Sequence, residues 1–190
     1  MNETKTQSPI QTLSIAAMML ALGLFLPFFT GQIPQIGSML CPMHLPILLC
    51  GFLCGWKYGL AVGFILPLLR SVTLGTPPFY TAMAMAFELA AYGFLTGFLY
   101  ARSRWQCVFA LYRCLLLAML GGRIVWAVAR IALSGVSGQA FTWQIFLSGA
   151  FLTAIPGIIL QLAFIPVVMV ALDRTGMVRF RRGGETAQTA

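Results

Sequence analysis

Acidic residues and histidine are almost missing: the 190 residues hold four Asp or Glu and one His. That scarcity removes whole classes of chemistry. A transition-metal site needs three or four ligands of suitable type. His44, in Cys41-Pro-Met-His44-Leu-Pro46, has Cys41 nearby but no second histidine and no acidic neighbour in sequence. No metal site is expected. The chain also has no paired carboxylates, no Ser-His-Asp arrangement, no HExxH sequence and no GxxxxGK[S/T] loop to cradle the phosphates of ATP. It is not expected to be an enzyme or to carry a cofactor. Charge of either sign is sparse, at 8%, against about a quarter in soluble globular domains. No stretch is polar enough to fold as a separate soluble domain. Five cysteines, at 41, 50, 54, 107 and 114, make no CxxC, and four lie within or at the edge of apolar segments. They read as small hydrophobes rather than a disulfide framework.

What is abundant is apolar surface. With 59% hydrophobic residues and a mean hydropathy of +0.89, the chain reads as a polytopic membrane protein. The expected fold is all-α, a single membrane domain over 1–190 built as a six-transmembrane-helix bundle with both termini cytoplasmic. Helices are expected at about 10–29, 43–55, 59–74, 79–100, 107–133 and 143–172, with a basic, flexible tail over 173–190. Ser8-Pro9 is a helix start with proline in the first turn. The second segment has only about a dozen residues, too few at about 1.5 Å each to cross roughly 30 Å of hydrocarbon unaided. It must be tilted or shielded by its neighbours. Trp56-Lys57-Tyr58 reads as an interfacial turn and Gly75-Thr-Pro-Pro78 as the strongest break. Ser134-Gly-Val-Ser-Gly-Gln139 reads as a loop, and Pro156-Gly157 and Pro166 predict a kinked sixth helix. Glycines at 51, 55, 59 and 63, and at 93 and 97, suit close helix packing, although the first series crosses a turn and cannot be one stripe.

A net charge of +8 would suggest nucleic acid in a soluble protein; here it reports topology. Lys5, Lys57, Arg102, Arg104, Arg113, Arg174, Arg179, Arg181 and Arg182 fall on one side of the membrane, with both termini. By the positive-inside rule that side is cytoplasmic. The segment 30–42 then lies outside as an uncharged loop that can cap a site, with Gln32, Gln35, Gly37 and Ser38 as its candidate gating residues. Ala17 and Ala21, one helical turn apart in the first span, form a small-xxx-small strip that lets another helix approach.

Arg70, Arg123 and Arg130 remain, and all fall within spans. Each costs about 2.5–3.5 kcal/mol at the membrane centre on insertion scales, so each needs a partner, a watery cavity or a ligand. Arg123, Trp126 and Arg130 share a helix face. The only acidic residue inside an apolar segment is Glu88, on a stripe with Thr81, Met85, Tyr92 and Thr96. Two readings follow. The arginines line an outward-facing pocket for a carboxylate or phosphate, which a guanidinium fork grips well. Or Arg123 pairs with Glu88 and the others snorkel to headgroups. Candidate substrate-binding residues are Arg123, Arg130, Trp126, Glu88, Arg70, His44, Gln161 and Tyr92.

Taken together, Ala17-x-x-x-Ala21, Gly31-Gln-Ile-Pro-Gln-Ile-Gly-Ser38, Met43-His-Leu-Pro-Ile-Leu-Leu-Cys-Gly-Phe-Leu-Cys-Gly55 and the segment Gly59 to Arg70 carry a resemblance. They resemble the substrate-binding S component of an energy-coupling factor (ECF) vitamin transporter, over nearly the whole chain, with Met-His-Leu-Pro and Pro67-Leu-Leu-Arg70 the most distinctive parts. The resemblance implies a subunit in the prokaryotic cell membrane that binds a vitamin on the extracellular side, between the first loop and helices four to six. It implies partners too: a transmembrane coupling subunit, met through Ala17 and Ala21, and two cytoplasmic ATPases that use the ATP. Delivery would follow toppling of the loaded subunit in the bilayer. The chain is most similar to the pantothenate-type branch, while riboflavin, folate, pyridoxine and hydroxymethylpyrimidine carriers share the pattern. A rival of another class is a membrane assembly or channel-forming protein with purely structural arginines.

Overall fold

The computed structural model describes residues 8–29, 42–103, 108–137 and 155–174. Among these, six α-helices run in order: α1 Pro9–Phe29, α2 His44–Cys54, α3 Trp56–Leu74, α4 Phe79–Arg102, α5 Val108–Ser137 and α6 Ile155–Arg174. Five are long and apolar enough to cross a membrane; α2, at 11 residues, is not.

Local chemistry explains several of the helix ends. Ahead of α1, the Ser8 backbone N–H donates to Gln11 Oε1 at 3.1 Å and the Gln11 N–H donates to Ser8 Oγ at 3.3 Å. This reciprocal capping box, with Pro9 in the first turn, satisfies donors the helix would otherwise leave bare. Between α2 and α3 stands one residue, Gly55, at φ 84°. The turn expected at Trp56–Tyr58 is therefore tighter and earlier, because a glycine with positive φ reverses the chain alone. Trp56, Lys57 and Tyr58 instead form the first turn of α3. Gly75, at φ 66°, ends α3 with its N–H on the Ser71 carbonyl at 3.0 Å.

One further boundary differs from expectation. Helix α5 continues through Ser134–Ser137, read from composition as loop, since serine and glycine only weakly oppose a helix already propagating. The described part of the last helix starts at Ile155. Residues 143–154 of the expected span, and the tail beyond 174, lie outside the described residues.

Helix α4 is the hub, buried along most of its length from Ala82 to Tyr100 and packed on α2, α3 and α5. Helix α2 is buried from His44 to Phe52 and lies against α1, α3, α4 and α6. Its neighbours supply the shielding that its length requires. The glycines explain how helices crowd so tightly. A Cβ on Gly59 would stand 2.5 Å from the Gly93 carbonyl oxygen, one on Gly51 2.7 Å from the same oxygen, and one on Gly97 2.6 Å from Trp56 Cα. Gly51 on α2 and Gly59 on α3 thus converge on one point of α4, although a turn separates them in sequence. Backbone meets backbone there, which only glycine permits.

Candidate functional site

Polar groups gather at the middle of α4, just before Gly93. Glu88, 3% exposed, accepts a hydrogen bond at Oε1 from the Tyr92 hydroxyl at 3.0 Å, one helical turn along. The same oxygen lies 3.1 Å from Arg123 Nη1 on α5. His44, the first residue of α2, brings Nε2 to 3.8 Å from it. That is close enough for electrostatic influence but too long for a hydrogen bond. The imidazole lies 5.1 Å from the Tyr92 ring, centroid to centroid. Neither of its nitrogens has a hydrogen-bond partner among the described residues.

A glycine sets this geometry. A Cβ on Gly122 would stand 2.8 Å from Tyr92 Cζ, so the ring lies directly on the α5 backbone. Any larger residue there would push Tyr92 away from Glu88.

A cavity of about 160 Å³ opens beside the cluster, lined by His44, Tyr92, Leu116, Met119, Leu120, Arg123, Ile158 and Gln161. By volume it compares with an apolar cavity that holds benzene. Gln161, from α6, is 3% exposed. Helices α2, α4, α5 and α6 each contribute to the wall. The arrangement has the form of a small-molecule site, mostly apolar with a few convergent polar groups.

Of the predicted residues, His44, Tyr92, Arg123 and Gln161 line the cavity, and Glu88 stands behind Arg123 and Tyr92. Arg130 lies two turns further along α5, its guanidinium 5.7 Å from the Trp126 ring, a cation–π contact. Arg70 is elsewhere: buried where α3 meets the turn, it donates from Nε to the Thr76 carbonyl at 3.2 Å, while the Ser71 hydroxyl donates to the Pro77 carbonyl at 2.9 Å. It serves the α3–α4 connection. Ala17 and Ala21 are exposed on α1, opposite the buried Ala16 and Met19. Gln32, Gln35, Gly37 and Ser38 lie outside the described residues.

Leu116, Met119, Leu120 and Ile158 were not anticipated. Positions 116, 119, 120 and 123 follow helical spacing, so the face of Arg123 continues towards the start of α5. Helical side chains lean towards their N-terminus, which directs Arg123 onto that lower turn. Gly122 left no signal beyond its lack of a side chain.

A family model for the ECF transporter, substrate-specific component, matches residues 11–169. The chain belongs to this family. No curated protein and no solved structure matches it. This S component is therefore a multi-pass membrane protein, the substrate-specific subunit of an ECF importer rather than an enzyme. Membership implies a small-molecule substrate and associated coupling and ATPase subunits.

Proposed function

We propose that this S component captures a small anionic vitamin or vitamin precursor, pantothenate in first place, at the end of the bundle that carries His44. The supporting observation is the cavity, where polar groups from four helices, those of His44, Tyr92 and Gln161 buried, converge on an otherwise apolar pocket. That end faces outside the cell, because Arg102 and Arg174 close α4 and α6 at the opposite end, in agreement with the loop charges. In this orientation all six helices belong to the membrane bundle and both termini are cytoplasmic.

The Arg123–Glu88 pair balances its own charge, so the carboxylate of the ligand belongs with Arg130. This residue stands about 10 Å nearer the bundle's end, at about 1.5 Å of rise per residue. The Trp126 ring beside it offers a flat apolar contact. Gln32, Gln35, Gly37 and Ser38 close over the ligand. Ala17 and Ala21 meet the coupling subunit, a reading supported by their exposure on α1. Toppling of the loaded subunit carries the ligand inward, and two ATPases supply the energy.

The neutral balance inside the cavity favours one second reading, an uncharged vitamin such as pyridoxine. A thermal-shift panel of vitamins on the purified protein separates the two. Pantothenate should raise the melting temperature in wild type and much less in Arg130→Ala; equal shifts in both would remove Arg130 from the site. Ala17→Leu with Ala21→Leu should spare binding and weaken co-purification with the coupling subunit. An intact complex would count against that contact.

A further inference from the structure

We propose that the buried end of the cavity reads an uncharged hydrogen-bonding group of the ligand, a hydroxyl or an amide, through His44 and Gln161. This rests on the binding role proposed above and names the chemistry that the site selects.

Charge is already committed there. Glu88 Oε1 accepts from Tyr92 and faces Arg123, so a carboxylate placed in the cavity would compete with Glu88 for the same guanidinium. The other polar groups facing the cavity are the His44 imidazole and the Gln161 amide. His44 is 4% exposed, and both ring nitrogens lack a hydrogen bond among the described residues. Gln161, 3% exposed, lines the same cavity from α6 and brings its side-chain amide to it. A neutral imidazole offers one donor and one acceptor; a primary amide offers two donors and a carbonyl. Buried groups of this kind are normally satisfied, and leaving them unmet is costly. The cavity is wide enough for a small group to stand among them, and a hydroxyl both donates and accepts. A site built this way rejects an analogue lacking the polar group far more strongly than an apolar pocket rejects a misplaced methylene.

The position of His44 supports the same reading. It is the first residue of a short helix buried along nearly its whole length, so its imidazole is carried into the bundle by α2. The tilted Tyr92 ring, 5.1 Å away, restricts its rotation.

The test is calorimetric titration of the full-length purified protein with two probes: pantothenate, and panthenol, in which a hydroxymethyl group replaces the carboxylate. His44→Ala and Gln161→Ala should each weaken both probes by about tenfold or more, as expected for a lost buried hydrogen bond. His44→Asn, which keeps a donor and an acceptor, should recover part of the loss. Arg130→Ala should weaken pantothenate alone. Wild-type affinity for pantothenate in both alanine variants would overturn the inference and leave the binding role standing, as would a cavity filled by ordered water. A loss confined to pantothenate would also overturn it, because the carboxylate would then be what these residues read. If wild type bound neither probe, the proposed ligand class would fall and the inference with it. Should His44→Ala not fold, Gln161→Ala carries the same test.

Discussion

The two halves of α4 face opposite demands. From Gly93 to Tyr100 the helix packs backbone to backbone against α2 and α3, and the polar Thr96 hydroxyl donates to its own helix, to the Tyr92 carbonyl at 2.8 Å. From Glu88 to Tyr92 the same helix still packs its Leu89 backbone on Gly63 of α3, but on another face it turns polar groups towards α2 and α5 and leaves a cavity beside them, where His44 has no hydrogen bond to a described residue. One half spends its glycines on closeness, the other its polar residues on a site. The difference teaches that rigidity and recognition are neighbours on one helix: Tyr92 holds Glu88, and the next residue, Gly93, locks the helix into its neighbours.

The largest expected effect comes from breaking the packed half. Gly93→Leu would drive a side chain into the Gly59 backbone, which has no rotamer through which to yield. Overpacking ordinarily costs about 1–3 kcal/mol where side chains can shift, and here the loss should exceed that range. The expected result is no monodisperse folded protein on size-exclusion chromatography; a well-folded variant would refute the backbone contact.

Next comes the pair in the polar half. Arg123→Ala strands a buried carboxylate, and removing one partner of a buried ion pair costs about 3–5 kcal/mol. Arg123→Ala combined with Glu88→Gln should recover much of the stability, measured by chemical or thermal unfolding in detergent. Absence of recovery would mean that the pair is not coupled. Because Arg123→Ala destabilises the bundle, its loss of ligand binding alone would not identify a ligand contact. Gly122→Val should cost less stability but displace Tyr92 from Glu88, lowering affinity more than melting temperature. The smallest effect belongs to Gly55→Ala, since a Cβ there meets nothing within 4 Å. Only its backbone is strained: φ 84° with ψ 176° is a conformation essentially confined to glycine, costing about 1–3 kcal/mol for another residue; a larger loss would point to an unseen contact at this turn.

Hydropathy alone made the membrane class, the long apolar helices and the shielded second segment legible, because burial in lipid or in neighbours demands long apolar runs. The pairing of Glu88 with Arg123 was one of two open readings, since composition shows that charges need partners but not which partner lies opposite. The lower wall of the cavity was hidden for a different reason. Leu116, Met119 and Leu120 look like any lipid-facing residues until the lean of Arg123 shows which turn it covers. Gly51 and Gly59 were visible as a repeat, yet their convergence on Gly93 depends on a one-residue turn that brings α2 back against α3. The role of Arg70 depends on the local fold of the 75–78 turn, which no spacing rule encodes.

Met119→Trp tests the central claim most directly, since residue 119 lines the cavity, is 7% exposed and takes no part in the Glu88 cluster. An indole there should fill the space at a stability cost of about 1–3 kcal/mol, leaving a folded protein that no longer binds the wild-type ligand in a thermal-shift or calorimetric assay. A folded Met119→Trp protein with unaltered affinity would contradict the account, because the ligand would then bind elsewhere.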